Sequence, residues 1–205
     1  MAGVIGTRVE SLDASAGARW FNLGMKVAIV VVFAVAILIP PDVLEGKGMG
    51  FRAPLFVGSA ALIPLMQRFG RHPRNPYPHI GDGLLVAPFV FDTLGNLFGF
   101  YNDYDVTDDV LHFTNWVLLV SAFMAVRYRR TDRNDEAVLV GVGFGAIAII
   151  IWEIMEWAVA ETGAGGGLQL TYGDTIGDLT ISSTGGLIGA LIGRYCFSRA
   201  APQPA

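Results

Sequence analysis

Charge is scarce in this 205-residue chain. Asp, Glu, Lys and Arg make up 16% of it, against about 25% in a typical soluble domain. That shortage excludes a fold kept in solution by a charged surface. With 53% hydrophobic residues, it predicts a polytopic membrane protein. Cysteine is rarer still: Cys196 stands alone, so no internal disulfide can form. A lone thiol near the end of the last helix is expected to be an inert packing residue. There is no basic helix, and the arginines are scattered among short loops, which excludes a nucleic-acid surface. The glycine run TGAGGGLQLTYGD has no lysine, so it is not a phosphate-binding P-loop; it predicts a flexible extracytoplasmic loop that could act as a lid. No secretory leader is expected: the first 24 residues are polar and of mixed charge, and the apolar run after them is too long and lacks a convincing small-residue cleavage site. That run is expected to be a retained anchor.

What the chain does have is apolar length. About 20 mainly apolar residues span a bilayer, and six stretches qualify: 25–44, 51–68, 81–101, 108–127, 136–160 and 175–197. The second, broken by Pro54 and Pro64, is the weakest. The expected architecture is an all-α membrane protein, a bundle of six transmembrane helices over 25–197. It is flanked by a cytoplasmic tail at 1–24, with a short interfacial helix ending at Trp20 and Phe21, and a disordered tail at 198–205. Basic residues sort by loop. Arg8, Arg19, Lys26, Arg68, Arg71, Arg74, Arg127, Arg129, Arg130, Arg133, Arg194 and Arg199 fall on one side, and Lys47 and Arg52 on the other. By the positive-inside rule both termini are cytoplasmic, in the inner membrane. The proline-rich loop RFGRHPRNPYPHIGDG is a cytoplasmic turn in this scheme, with His72 and His79 as solvated loop residues.

On that topology the acids converge. Asp92 lies near the middle of span three and Asn96 one turn further out, and Asp108, Asp109 and His112 lie at the outer end of span four. Glu153 and Glu156 lie in the outer third of span five, and Asp174 and Asp178 at the outer start of span six. The spacings are three or four residues, which stacks side chains on one helical face. Two carboxylates about 4 Å apart repel by about 4 kcal/mol at an effective dielectric near 20. Such a cluster must hold protons or a cation, and ionisable groups within a bilayer are functional by default. Carboxylates from several helices with one histidine suit a hard or borderline divalent ion, whether Zn, Mn, Fe, Mg or Ca. Asp109, His112, Glu153, Asp174 and Asp178 are the expected ligands, with Asp92 or Glu156 as general base. Asp103 and Asp105 read as loop acids that draw cations to the mouth.

Glycines at four-residue spacing, Gly185, Gly189 and Gly193 in span six, Gly141 and Gly145 in span five, Gly95 and Gly99 in span three, predict close helix packing. Trp116, Trp152, Trp157, Tyr101, Tyr104 and Tyr172 fall near the outer interface, where such residues anchor helices.

In NLFGFYNDYDVTDDVLHFTNWVLL, WEIMEW and YGDTIGDLTISSTGGLIGA the chain resembles small bacterial, notably actinobacterial, multi-pass membrane proteins of unknown function. It is more remotely similar to the YjdF-type inner-membrane family, with its Asp…His element, Glu-x-x-Glu-Trp element and late Asp-x-x-x-Asp helix. The resemblance covers roughly residues 92–193; spans one and two and both tails carry none of it. It implies a multi-pass protein with these polar positions grouped, and no particular activity. The Ser and Thr positions of span six depart from the more acidic pattern of the remote relatives.

The leading expectation is therefore an extracytoplasmic-facing divalent-metal site, used hydrolytically or for group transfer on a lipid-linked or envelope substrate, with membrane lipid as partner. One rival is a proton- or cation-coupled transporter, opposed by the apolar inner halves LLVAPFV and VLVGVGFGAIAIII. Another is a non-catalytic assembly protein whose polar groups only hold helices together.

Overall fold

The computed structural model describes residues 12–39, 44–70, 77–127, 134–163 and 170–197. Every regular element in them is helical: α1 (Ala16–Leu38), α2 (Met49–Phe69), α3 (His79–Leu97), the short α4 (Phe100–Asp103), α5 (Thr107–Arg127), α6 (Asn134–Glu161) and α7 (Tyr172–Phe197). Among the described residues five helices, α1, α2, α5, α6 and α7, are long and apolar enough to cross a membrane. α3 is not one of them. Its 19 residues include His79, Asp82, Asp92 and Asn96, which lower its hydropathy.

The helices start where capping chemistry allows. α1 begins at Ala16 rather than Met25, because the Ser15 hydroxyl accepts the Ala18 N–H at 3.1 Å and occupies one of the free first-turn donors. The segment expected as a separate interfacial helix is thus the first part of α1. α3 stops at Leu97, short of the expected 101, because Gly99 adopts φ +71° and turns the chain into α4. Gly99 is therefore a turn residue rather than a packing residue.

Close approaches give the helix directions. Gly83 of α3 lies against Phe21 and Asn22 of α1, so both helices start at the same end, while Gly81 meets Ala125 and Val126 at the far end of α5. Gly185, Gly189 and Gly193 of α7 follow Phe113, Val117 and Met124 of α5 in parallel order. Gly141 and Gly145 of α6 meet Ala190 and Gly186 of α7 in reverse order. A Cβ on Gly185 would stand 2.4 Å from the Phe113 carbonyl oxygen, and on Gly189 2.6 Å from that of Val117. The small-residue spacing in spans five and six is a packing device, as expected.

Two apolar clusters result. Ile29, Val32, Phe33, Phe56, Val86 and Val90 join α1, α2 and α3. Val120, Met124, Ala125, Ala137, Ala190 and Phe197 join α5, α6 and α7. Outward lie large apolar side chains, such as Ile37 and Leu38 on α1 and Leu139 on α6, which suits hydrocarbon rather than water. Cys196, expected to pack, is exposed.

His79 is not a loop residue but the first residue of α3, with its Nδ1 3.2 Å from the Asn22 amide nitrogen. His72, and with it residues 71–76 of the proline-rich loop, lies outside the described residues, as do 128–133, 164–169 in the glycine run, and both chain ends.

Candidate functional site

The helix order brings the C-terminal parts of α3 and α6 and the N-terminal parts of α2, α5 and α7 to one end of the bundle, with α4 beside them. A cavity of about 520 Å³ opens there. Asp92, Asp105, Asp108, Asp109, Glu156, Asp174 and Asp178 line it, and so do Lys47, Arg52 and His112. Carboxylates therefore outnumber fixed cations by more than three to one, inside a wall that is otherwise largely apolar.

The centre is His112. Its Nδ1 lies 3.0 Å from the Ser182 hydroxyl, which fixes the ring and leaves Nε2 facing the cavity. Nε2 stands 3.6 Å from Asp108 Oδ1 and 3.7 Å from Asp178 Oδ1. Both separations are too long for hydrogen bonds. They lie at and just beyond the upper end of the roughly 3.3–3.6 Å between neighbouring donors that each sit about 2.0–2.2 Å from one tetrahedral ion. His112, Glu153 and Glu156 form a second such group, their donor atoms within 4.8 Å of one another. Glu153 is buried, at 8% exposure, and its Oε1 has no hydrogen-bond partner among the described residues. A buried carboxylate oxygen without a partner carries a desolvation cost that a cation or a proton would offset.

The expected ligands are thus drawn together unequally. His112, Asp178 and Glu153 fall in these groups. Asp108, one helical turn from His112, takes the place expected of Asp109, which is exposed and lines the mouth. Asp174 lines the cavity outside both groups.

Asp92 and Glu156, the expected general bases, are bound to a residue that the sequence reading used only to count charge. Arg52 donates through one guanidinium nitrogen to Asp92 Oδ2 at 3.1 Å and Oδ1 at 3.3 Å, and through the other to Glu156 Oε1 at 2.7 Å. Its guanidinium lies over the Trp152 ring, 5.4 Å from the centroid. Asp92 also accepts from the Tyr101 hydroxyl at 2.8 Å and more weakly from the Asn96 amide at 3.4 Å. Burial, then the charge of Asp92, holds the Tyr101 phenol well above its usual range, so it stays a donor. Lys47 binds the Asn102 side-chain oxygen at 3.2 Å. Burial, then the neighbouring Arg52, lowers its ammonium below the usual lysine range. Of the expected anchors, Trp157, Tyr104 and Tyr172 are exposed. Trp116, Trp152 and Tyr101 line the cavity, and so does Tyr104.

A second polar knot lies at the other end of α3. Asp82 is fully buried. It receives Lys26 Nζ at 2.6 Å, the Asn22 amide at 2.9 Å and the Tyr77 hydroxyl at 2.5 Å. Burial, then this hydrogen bond, pushes the Tyr77 phenol up. Asp82 had a visible signal: an acid between Gly81 and Gly83 at the start of an apolar stretch. Arg52 had the same signal, a cation inside one.

Apolar outer faces, glycine-packed helices and an acidic pocket at one end define an all-helical integral membrane protein. The chain belongs to the family described as "Predicted membrane protein (DUF2238)", whose model matches residues 21–199. That match takes in α1 and α2, where the sequence reading saw no likeness. No curated protein and no solved structure matches it.

Proposed function

We propose that the pocket is a divalent-cation site. His112 Nε2, Asp108 and Asp178 are its ligands, and Glu153 completes it. The observation that carries this reading is the spacing around Nε2: two carboxylate oxygens at 3.6 and 3.7 Å, too far for hydrogen bonds and close to the spacing of donors on a shared ion. Ser182 on Nδ1 supports it, since metal-bound histidines are oriented by a partner on the other ring nitrogen. One imidazole among carboxylates favours a borderline or harder ion such as Zn, Mn or Fe.

Such an ion polarises an ester or phosphoryl oxygen and lowers the pKa of bound water, so the site suits hydrolysis or group transfer on a lipid-linked or envelope substrate. Asp92 has both oxygens engaged. Glu156 gives only Oε1 to Arg52, so the general base falls to Glu156 Oε2. In the same reading α3 is a sixth span, supported by its place between α1 and α5. Both termini are cytoplasmic in the inner membrane, supported by Arg68, Arg127 and Arg194 in the last turns of α2, α5 and α7, opposite the pocket. Elemental analysis of the detergent-purified protein should find stoichiometric metal in the wild type and little in His112→Ala or Asp178→Asn. A metal-free wild type sinks the reading.

One observation favours a proton- or cation-coupled transporter instead. Asp82 supplies a buried carboxylate in the half of α3 that was read as apolar. Val86, Ala87 and Val90, all buried, separate it from Asp92. Proton or cation flux into liposomes that is lost in Asp82→Asn would establish this alternative.

A further inference from the structure

The pocket has two kinds of wall, and the apolar one reaches the outside of the bundle. Leu55 on α2 and Ile151 and Met155 on α6 line the cavity, yet they are 43%, 53% and 37% exposed. On each helix these residues adjoin the polar face. Arg52, Leu55 and Phe56 share one side of α2, and Ile151, Trp152, Met155 and Glu156 one side of α6, at three- and four-residue spacing. α6 packs on α7 through glycines, backbone to backbone. It faces α2 through side chains instead: the Arg52–Glu156 ion pair and the Phe56–Trp152 stack, whose centroids are 6.1 Å apart. Side chains can swing aside where packed backbones cannot.

Depth matters as well. Leu55 lies six residues into α2, and Met155 six residues before the end of α6. At about 1.5 Å per residue each is about 9 Å from its helix end. Head-group layers are only about 5–8 Å thick on each side of the hydrocarbon. The gap that these side chains bridge between α2 and α6 therefore lies at the top of the acyl chains, while the mouth above it carries the charged groups.

We propose that the pocket takes a membrane lipid sideways through this gap. Its hydrocarbon chain lies against Phe56, Trp116 and Leu119, and its head presents an oxygen to the His112 end. A water-soluble ligand would gain nothing from an apolar wall that opens to lipid, and a purely apolar one would leave seven carboxylates facing hydrocarbon. A molecule with both parts matches both walls. The inference deepens the cation-site reading by naming the ligand class, and rests on it only for the head group.

The test uses full-length protein in vesicles of phosphatidylethanolamine and phosphatidylglycerol. These carry some phosphatidylglycerol with a photoactivatable diazirine at the chain end, and adducts are mapped by mass spectrometry. The expected result is adducts on Trp116 and Leu119, beside those on the exposed Val27 and Val30 in the middle of α1. In Leu55→Trp/Ile151→Trp, which fills the gap from exposed positions, the Trp116 and Leu119 adducts should vanish while those on Val27 and Val30 stay. Wild-type adducts confined to the exposed residues, or pocket adducts indifferent to the plug, overturn the proposal. So does displacement of the pocket adducts by free glycerol phosphate, which would make a soluble head group the ligand. His112→Ala separates the two readings, because pocket adducts that persist there show lipid entry whether or not metal is bound.

Discussion

Replacing Arg52 by methionine leaves Asp92 and Glu156 buried without their shared partner. The three side chains are only 10–14% exposed, and removing one member of a buried ion pair costs about 3–5 kcal/mol. Arg52→Met should therefore lower the unfolding free energy in mixed micelles by an amount near the bottom of that range. Adding Asp92→Asn and Glu156→Gln should restore most of it, because the stranded charges go too. Ser182→Ala is expected to act differently: it should weaken cation binding by about 10–100-fold, read by titration calorimetry, with little change in stability. How legible these residues were follows from their surroundings. Asp108 and His112 announce themselves as an i,i+4 pair, and Glu153 and Glu156 as acids in an apolar helix. Ser182 sits among Ser183 and Thr184 with nothing to set it apart, because its role arises only when α7 lies beside α5. Arg52 was visible, but a rule about loops absorbed it.

The glycines of α7 show what a helix pair demands. Gly185→Ala would press a methyl to 2.4 Å from the Phe113 carbonyl oxygen, a backbone atom that no rotamer change can move. Overpacking of this kind costs about 1–3 kcal/mol, so a drop in thermal stability is expected for Gly185→Ala and for Gly189→Ala. Gly143→Ala and Gly177→Ala, where an added Cβ meets nothing within 4 Å, should be neutral or gain up to about 1 kcal/mol from helix propensity. Equal effects at all four positions would mean that the seam is not tight. Periodicity made the seams on α6 and α7 readable in advance, since small residues four apart have one common use in lipid. It misled at Gly99, where the spacing continued but the backbone had already turned to φ +71°. It could not find the start of α1 either: a serine cap is a local event, and the hydropathy change at Met25 is not a helix boundary.

Across the whole molecule, charge is divided between two ends, with the acidic pocket at one and arginine-bearing helix ends at the other. With Cys196→Ser removing the native thiol, Asp103→Cys on α4 should react with a membrane-impermeant maleimide in intact cells. A cysteine replacing Arg68 should react only after lysis, and the reverse pattern would invert the proposed orientation. The sequence carried this division because loop charge survives without tertiary contacts. The two knots on α3 were harder to see, since each needs a partner from another helix, and that need bears on how the protein is made. A helix centre tolerates a carboxylate only at about 2.5–3.5 kcal/mol during translocon insertion, so with Asp92 well inside it and Asp82 in its first turn α3 is a poor candidate to enter the bilayer alone. Its counter-charges, Lys26 and Arg52, stand on α1 and α2, both of which leave the ribosome before it. In the proposed six-span arrangement α3 is therefore expected to enter the bilayer beside α1 and α2, pairing with Lys26 and Arg52 as it inserts.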